Sequence, residues 1–545
     1  MPYSNTLRLP RPKSNKFRFR PTRLFTSDMG KLIPNFCELV YPGDVWKLGS
    51  TSKSYFQSMI GTTMGAFRVY QFYHYVPLRL LMKNFEPYIT GGLDGNDATP
   101  TPVVTSPVTG WKAGSLFDHL GYVSNYFDES NNEVVVPNFT ANAWALRAYA
   151  KVINDWFINE NLDMEVSLSL EDGLDTTTNT DIFNVCWRPD YFTNALPWAQ
   201  RGPAVTIPLG ETAPVYGTGG VLGLKDVTSG VVSGAHLLST TTASGSGIRV
   251  ALGNPALGRS GDELGVVSKN DGAGSGLYSD ISSVSGIEVN KLRDYIAMQV
   301  SAEVLAQSGA RLIEYLLGIW GVRSSDKTLQ RSQYLGGGVA PVYISEVAQT
   351  SSSDETTPQG NLSSNGIAVN TAWGFKHRFE EFGVLLGTQV ILPDVMYFQG
   401  NRRWMNYNSR WDYPNPLFAR LGDQPIEEKE IFAQGAGKST VVGGVTVDDN
   451  TKFGFVPRYD EGRYIPSTVH GDFKTSLKYL HAARQFSNPP LLNSDFAKAN
   501  PSKRIFAVTT QKYDAIKTEI GFDITCYRKL PKHQLPATFG LLYGV

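Results

Sequence analysis

The amino-acid sequence of 545 residues predicts a mainly β protein, a sandwich or barrel whose central strands are covered on both faces. The composition is the first reason, because 53 glycines, 31 prolines and 12% aromatic residues are typical of a turn-rich β protein. The second reason is the segment 383–392, which is apolar at nearly every position and ends at Pro393. Aromatic residues on both faces of the segment 64–76 predict another such strand, in which His74 is a packed, hydrogen-bonded core histidine and not a ligand.

The first 28 residues are predicted to form a basic N-terminal arm. Seven Lys or Arg residues and no acidic residue precede Asp28, and four prolines are expected to keep the arm free of regular structure. Such an arm can neutralise phosphates and stack on unpaired bases. The predicted nucleic-acid-binding residues are Arg8, Arg11, Lys13, Lys16, Phe17, Arg18, Phe19, Arg20 and Arg23. The alternatives are a solvated tail and an arm that docks on a neighbouring subunit.

Local periodicity predicts further elements along the chain. Residues 141–162 place apolar side chains on one helical face, with Asn142 as the N-cap, and residues 287–321 keep an approximate helical stripe. A glycine turn at 336–338 is expected to precede a strand at 340–349. Residues 519–527 alternate strictly, so Ile520, Phe522, Ile524 and Cys526 are predicted to point inward.

Residues 202–286 differ sharply in composition from the rest of the chain. Eighteen of these 85 residues are glycine, and only Tyr216 and Tyr278 are aromatic. A segment of this kind can bury little apolar surface, so it is predicted to be a surface insertion and not a core element.

Arginines and aromatic residues are interleaved after the apolar strand, from residue 402 to residue 413. These residue types dominate the anchors of protein interfaces. The predicted subunit-interface residues are Arg402, Arg403, Trp404, Arg410 and Trp411. The alternative is an ordinary loop that follows a core strand.

No catalytic site, metal site or cofactor site is predicted. Residues 435–440 resemble a phosphate-binding loop, but Phe432 stands where its first glycine is needed. Glu380 and Glu381 are adjacent and would point to opposite faces of a strand, so they make a poor acid–base pair. Lys plus Arg and Asp plus Glu both number 50, so any contact with a polyanion must be local.

Three widely spaced cysteines suggest a reducing compartment. The sequence shows no apolar run of membrane length and no apolar signal region, so a soluble protein made inside the cell, with no membrane partner, is expected.

Several motifs, in order along nearly the whole chain, resemble the major capsid protein of the microvirus family of single-stranded DNA bacteriophages, nearest its gokushovirus-like branch. They are MGKLIP at 29–34, VYPGD at 40–44, YVPLR at 75–79, ITGG at 89–92, LRAYAKVINDWFINENL at 146–162, RSQYLGG at 331–337, SEVAQT at 345–350, YFQG at 397–400, FGFVPRYDEGRYIPSTVHGDF at 453–473 and ARQF at 483–486.

The resemblance implies an eight-stranded antiparallel jelly roll of the viral capsid type, with long, partly helical insertions between strands. Residues 29–545 would form this single capsid domain, with residues 202–286 as a candidate spike. The implied function is structural: about sixty copies would assemble into an icosahedral, T=1-like shell. The implied partners are the packaged single-stranded DNA, a small basic internal protein, a DNA pilot protein and a host cell-surface receptor.

The resemblance also implies a location in the virion, after assembly in the bacterial host cytoplasm. The alternative function is that of a β-sandwich carbohydrate-binding protein or glycan-active enzyme, since such proteins also expose Trp and Tyr. That alternative needs a paired carboxylate site or a sugar-binding platform, and the sequence offers neither.

Overall fold

We describe the fold from a computed structural model. The residues it describes are 14–90, 97–200, 202, 215–217, 222–226, 232–237, 264–268, 277–279, 289–308, 330–348, 362–372, 374–507, 514–530 and 532. The chain divides into two compact units, one made of Met1–Arg201 with Glu303–Val545 and the other of Gly202–Ala302.

The N-terminal part contains nine strands and three α-helices within the described residues. The strands are β1 (Asn15–Phe19), β2 (Thr22–Ser27), β3 (Ile33–Val40), β4 (Val45–Phe56), β5 (Phe67–Pro77), β6 (Val103–Thr105), β7 (Tyr126–Phe127), β8 (Glu133–Val134) and β9 (Thr140–Asn142). The helices are α1 (Phe85–Thr90), α2 (Leu116–Leu120) and α3 (Trp144–Val152), and a π-helical turn, Ile153–Phe157, continues α3.

The smaller unit contains short antiparallel strands, β10 (Val215–Gly217), β11 (Leu222–Asp226), β12 (Val232–Leu237), β13 (Leu264–Ser268) and β14 (Leu277–Ser279). Strand β10 pairs with β14, and β11 lies between β12 and β13. Helix α4 (Val289–Ser308) follows these strands in the chain.

The C-terminal part contains ten more strands and helix α5 (Ser494–Ala497) within the described residues. The strands are β15 (Gln333–Pro341), β16 (Tyr343–Ala348), β17 (Leu362–Ala372), β18 (Lys376–Arg378), β19 (Gly383–Pro393), β20 (Gln424–Glu427), β21 (Ser439–Val442), β22 (Val445–Asp448), β23 (Lys452–Val456) and β24 (Ile516–Arg528). Short 3-10 turns lie between them, including Arg403–Asn406, Pro416–Phe418 and Glu428–Glu430.

Two antiparallel sheets form the core of the larger unit. The smaller sheet has the strand order β15-β5-β19-β3. The larger sheet has the order β1-β24-β4-β17-β16, with β2 also paired to β24 and β18 also paired to β4. Side chains of both sheets share one apolar cluster, in which the Phe36 and Phe522 rings lie 4.8 Å apart. The sheets therefore face each other as a sandwich, the double-sheet arrangement of a jelly roll.

The two sheets differ in what covers their second face. In β19, Leu385 points into the space between the sheets, whereas Leu386 belongs to a second cluster that includes Leu146 and Tyr149 of α3. Every residue of β19 is buried as a result. The second face of the larger sheet, which we call the open face, instead carries exposed residues on β1, β4, β17 and β24.

The predicted mainly β class and the doubly covered strands are confirmed, and Ile520, Phe522, Ile524 and Cys526 all point inward. The count of eight strands is not confirmed, because the larger sheet has seven strands and the smaller sheet has four among the described residues. Part of the excess over eight strands arises because two strand segments pair in succession with the same partner strand. Both β1 and β2 pair with β24, and both β17 and β18 pair with β4.

The glycines at 336–338 do not form the predicted turn but lie inside β15. A Cβ atom on Gly337 would collide with the backbone carbonyl oxygen of Gln71 in β5. Glycine is needed here because the two strands approach closely.

Helix α3 and its π-helical turn are shorter than the predicted 141–162, and the N-cap position is Ala143 and not Asn142. Of the predicted helix 287–321, only Val289–Ser308 lies within the described residues.

The expectation that prolines keep the arm free of regular structure is wrong for its second half. Strands β1 and β2 both pair with β24, and Pro21 lies in the break between them, where no strand hydrogen bond is lost. Residues 1–13 lie outside the described residues. No helix in the described part of the chain is long and apolar enough to span a membrane.

Candidate interaction surfaces

The first candidate surface is the loop that follows β19, and Arg403 is its structural centre. The Arg403 guanidinium donates to Glu430 at 3.1 Å and to the Pro425 carbonyl at 2.7 Å, and it lies 3.8 Å from Glu461. Tyr191 donates to the other Glu430 oxygen at 2.9 Å. Arg403 is thus satisfied inside its own subunit, with a side chain only 22% exposed.

Burial disfavours the charged forms of both Arg403 and Glu430. It raises the pKa of Glu430, although the positive charge of Arg403 acts in the opposite direction. The pKa of Arg403 is nevertheless raised, since Glu430 and Tyr191 outweigh the effect of burial. Removing one partner of such a pair leaves an uncompensated charge, which typically costs about 3–5 kcal/mol.

The neighbours of Arg403 point to solvent. Trp404 is 58% exposed and Trp411 is 61% exposed, and the Arg410 guanidinium lies 4.6 Å from the centre of the Trp411 ring. Arg402 is half-buried. Other large apolar side chains exposed on this loop and nearby in sequence are Met405, Tyr413, Leu417 and Leu421. Ile465, which is distant in sequence, is exposed beside the same loop.

A cavity of about 270 Å³ lies beside Trp404. Its walls include Tyr191, Phe192, Tyr397 and Ile465 as well as Arg402 and Arg403. Exposed aromatic side chains around an apolar hollow are the features of a protein-binding surface. Of the five predicted interface residues, Trp404, Arg410 and Trp411 are exposed at this surface, whereas Arg403 supports it from inside.

The second candidate surface is the pair of strands β1 and β2. Lys16, Arg18 and Arg20 are exposed, and Arg23 is half-buried. Phe17 and Phe19 alternate with the cations and point to the other side of β1, where their rings stack on each other at 6.5 Å. Because successive side chains of a strand point to opposite faces, the strand separates the aromatic rings from the charges. Arg8, Arg11 and Lys13 lie outside the described residues.

An acidic residue of β24 neutralises part of this charge. Asp523 accepts from Arg18 at 2.8 Å and lies 3.6 Å from Arg20. The hydrogen bond from Arg18 lowers the pKa of Asp523, and the same contact raises the pKa of Arg18.

Sequence reasoning missed the acceptors of Arg403. Glu430 and Glu461 lie far along the chain, and both local segments look like ordinary polar loops, so no local signal marks them. Among the described residues, no group of three or more His, Cys, Asp or Glu side chains is arranged to hold a metal ion.

A double-sheet jelly roll with an exposed aromatic surface and a basic edge defines a structural protein of the viral capsid class. Residues 13–538 match the model of the family described as capsid protein (F protein). The chain belongs to this family, and it is a structural major capsid protein of the virion and not an enzyme.

The chain is also similar to three curated relatives, each named capsid protein VP1. It is 32% identical to that of Bdellovibrio phage phiMH2K, over 93% of this chain and 92% of the relative. It is 31% identical to that of Chlamydia phage 1, over 94% and 93% respectively. The corresponding protein of Spiroplasma virus 4 is 28% identical, over 93% and 92%. These relatives support the microvirus resemblance and give no support to a carbohydrate-binding or glycan-active alternative.

Proposed function

We propose that about sixty copies of this chain close into an icosahedral, T=1-like shell, with the loop around Trp404 and Trp411 at a contact between subunits. The observation that supports this contact is the exposure of both tryptophans beside an arginine that is satisfied internally. Large aromatic side chains held on a supported loop are efficient interface anchors, because burying them removes much apolar surface from water.

The test compares Trp404→Ala combined with Trp411→Ala against Arg403→Ala. The tryptophan variant is expected to remain folded, because both side chains are more than half exposed, but to form few or no shells. The Arg403→Ala substitution is expected to lower the melting temperature of the unassembled subunit, because Glu430 would be left buried without its cation. Normal shells from the tryptophan variant in electron micrographs would exclude this surface from the contact.

We propose further that the basic arm faces the packaged single-stranded DNA. The support is local charge: residues 1–24 carry seven cations in a chain of zero net charge. Replacing all seven cations with glutamine should reduce the DNA content of the shells, because fewer phosphates are neutralised. Full shells with normal DNA content would exclude the DNA role, and failure to form shells would favour an arm that docks on a neighbouring subunit.

The insertion 202–286 is proposed to project from the shell as a spike that contacts a host receptor. Its small, polar composition supports this, and so does its position within the separate compact unit Gly202–Ala302. Deleting 202–286 should leave assembly intact and reduce infectivity. An insoluble deletion product would contradict a peripheral role.

The resemblance also leads us to propose assembly in the bacterial cytoplasm, with a small basic internal protein and a DNA pilot protein as further partners.

A further inference from the structure

The open face of the larger sheet concentrates positive charge in a chain whose net charge is zero. Eight basic side chains belong to this face, whereas its strands carry two carboxylates, those of Glu519 and Asp523, and a third, Asp514, accepts from Thr26 at its edge. The cations are Lys16, Arg18, Arg20, Lys47, Lys53, Lys376, Arg378 and Lys517. All eight are exposed, and the residues that alternate with them along β4 and β24 are buried between the sheets.

The strand register groups six of these cations at one end of the sheet. Lys376 is directly opposite Lys47, which is opposite Thr525, which in turn is opposite Arg18. Three of the four positions in this row are cations. Neighbouring strands lie about 4.8 Å apart, so the row extends over roughly 14 Å.

The adjacent row combines charge with an exposed ring. Arg378 is opposite Val45, Val45 is opposite Tyr527, and Tyr527 is opposite Lys16. Tyr527 is 43% exposed, so its ring is accessible on the same face as the cations.

This arrangement is unfavourable for a sheet that stands alone. Like charges directly opposite each other on neighbouring strands destabilise a sheet. Asp523 forms ion pairs with Arg18 and Arg20. Within the described residues, Lys47, Lys376 and Arg378 form no ion pair. A polyanion lying along the rows would remove the repulsion.

We propose that this basic face, which consists of Lys16, Arg18, Arg20, Lys47, Lys376, Arg378 and Tyr527, binds single-stranded nucleic acid. The cations neutralise backbone phosphates, and the Tyr527 ring stacks on a base without reading its identity. The ring favours a single strand, because the bases of a duplex are stacked on each other and are not free to meet it. The inference rests on the proposed DNA contact of the shell and adds Lys47, Lys376 and Arg378, which lie far from the arm in sequence.

The test variant combines Lys47→Gln, Lys376→Gln and Arg378→Gln, and it leaves the whole N-terminal arm intact. The control variant combines Lys112→Gln, Lys438→Gln and Lys452→Gln, three exposed lysines outside the two large sheets. The probe is a fluorescent oligothymidylate of about 30 nucleotides, which is long enough to span the face. Its binding is measured by fluorescence anisotropy over a series of salt concentrations. Soluble full-length protein is used before shell assembly.

The test variant should bind about tenfold or more weakly at 0.1 M salt, and the slope of log affinity against log salt should fall by about 2, since each lost phosphate contact removes about 0.7. The control variant should bind within about twofold of the unmodified protein, because its three charges lie outside the contact surface. Equal losses in both variants would overturn the proposal, and tighter binding of a duplex would overturn the choice of a single strand.

Folding and assembly are measured on the same preparations. The test variant should melt no lower than the unmodified protein, because it removes the Lys47–Lys376 repulsion. If it fails to fold, the single variant Lys376→Gln is measured instead, with a smaller loss of affinity expected. An unmodified protein that binds oligothymidylate but forms no shells would contradict the proposed shell and leave the basic face supported.

Discussion

The two sheets of the sandwich share one interior but differ in whether their outer faces are covered. The central strand β19 of the smaller sheet is packed between the larger sheet and the helix α3, and it has no exposed residue. The larger sheet carries charged and aromatic residues on its open face. Substitutions at the buried positions of the smaller sheet should therefore change folding, whereas substitutions on the open face should change what the protein binds.

The largest effect is expected in the smaller sheet, at Leu385. Leu385→Ala should lower the free energy of unfolding by about 2–5 kcal/mol, because it leaves a cavity between the sheets at a fully buried position. The control is Thr525→Ala on the open face, which should stay within about 0.5 kcal/mol of the parent protein. Urea unfolding of soluble subunits measures both, and equal losses would remove the difference between the sheets.

A matched glycine pair should give the next largest effect. Gly337→Ala should destabilise the fold by about 1–3 kcal/mol, because its methyl group meets the backbone of Gln71. Gly521→Ala on the larger sheet places a methyl group in open space and should stabilise the fold by up to about 1 kcal/mol. Thermal unfolding compares the two variants, and a tolerated Gly337→Ala would show that the strands can separate at this point.

The smaller sheet should also introduce a pH dependence through His74. Burial lowers the pKa of His74 from 6.5 to about 3, and its Nδ1 atom has no partner among the described residues. Between pH 6.5 and about pH 3 the unfolded chain binds a proton that the folded chain does not. Stability is therefore lost as the pH falls through this window.

The variant His74→Phe tests this dependence, because phenylalanine keeps an aromatic ring but cannot be protonated. It should lose less stability between pH 7 and pH 4.5 (roughly the upper part of that window) than the parent protein does. Denaturant midpoints at the two pH values measure the difference. Parallel losses in both proteins would assign the acid sensitivity to other groups.

The smallest effect is expected at the ion pair of the open face. Arg18 and Asp523 are both more than half exposed, so solvent and salt screen their attraction. A double-mutant cycle with Arg18→Gln and Asp523→Asn should show little coupling in thermal unfolding, and less still in high salt. A strong, salt-resistant coupling would mean that this end of the open face has a structural role.

Local patterns were sufficient for much of the fold. The apolar run 383–392 predicted a strand covered on both sides, and the alternation in 519–527 predicted which β24 side chains point inward. Both predictions are confirmed because alternate side chains of a strand belong to opposite faces, so their polarity shows which face is buried. The predicted turn at glycines 336–338 is wrong, because a close approach of two strands leaves the same glycine signature as a chain reversal.

Local patterns in the sequence therefore establish the class of the fold, its buried strands, the basic N-terminal segment and the aromatic loop. Folding is needed to bury Arg403 against Glu430, to turn Trp404 to solvent and to place Lys376 opposite Lys47. The physical reason is that the period of a strand is a local property of the chain. Strand register and ion pairing instead join residues that are tens to hundreds of positions apart, and no local pattern encodes those partners.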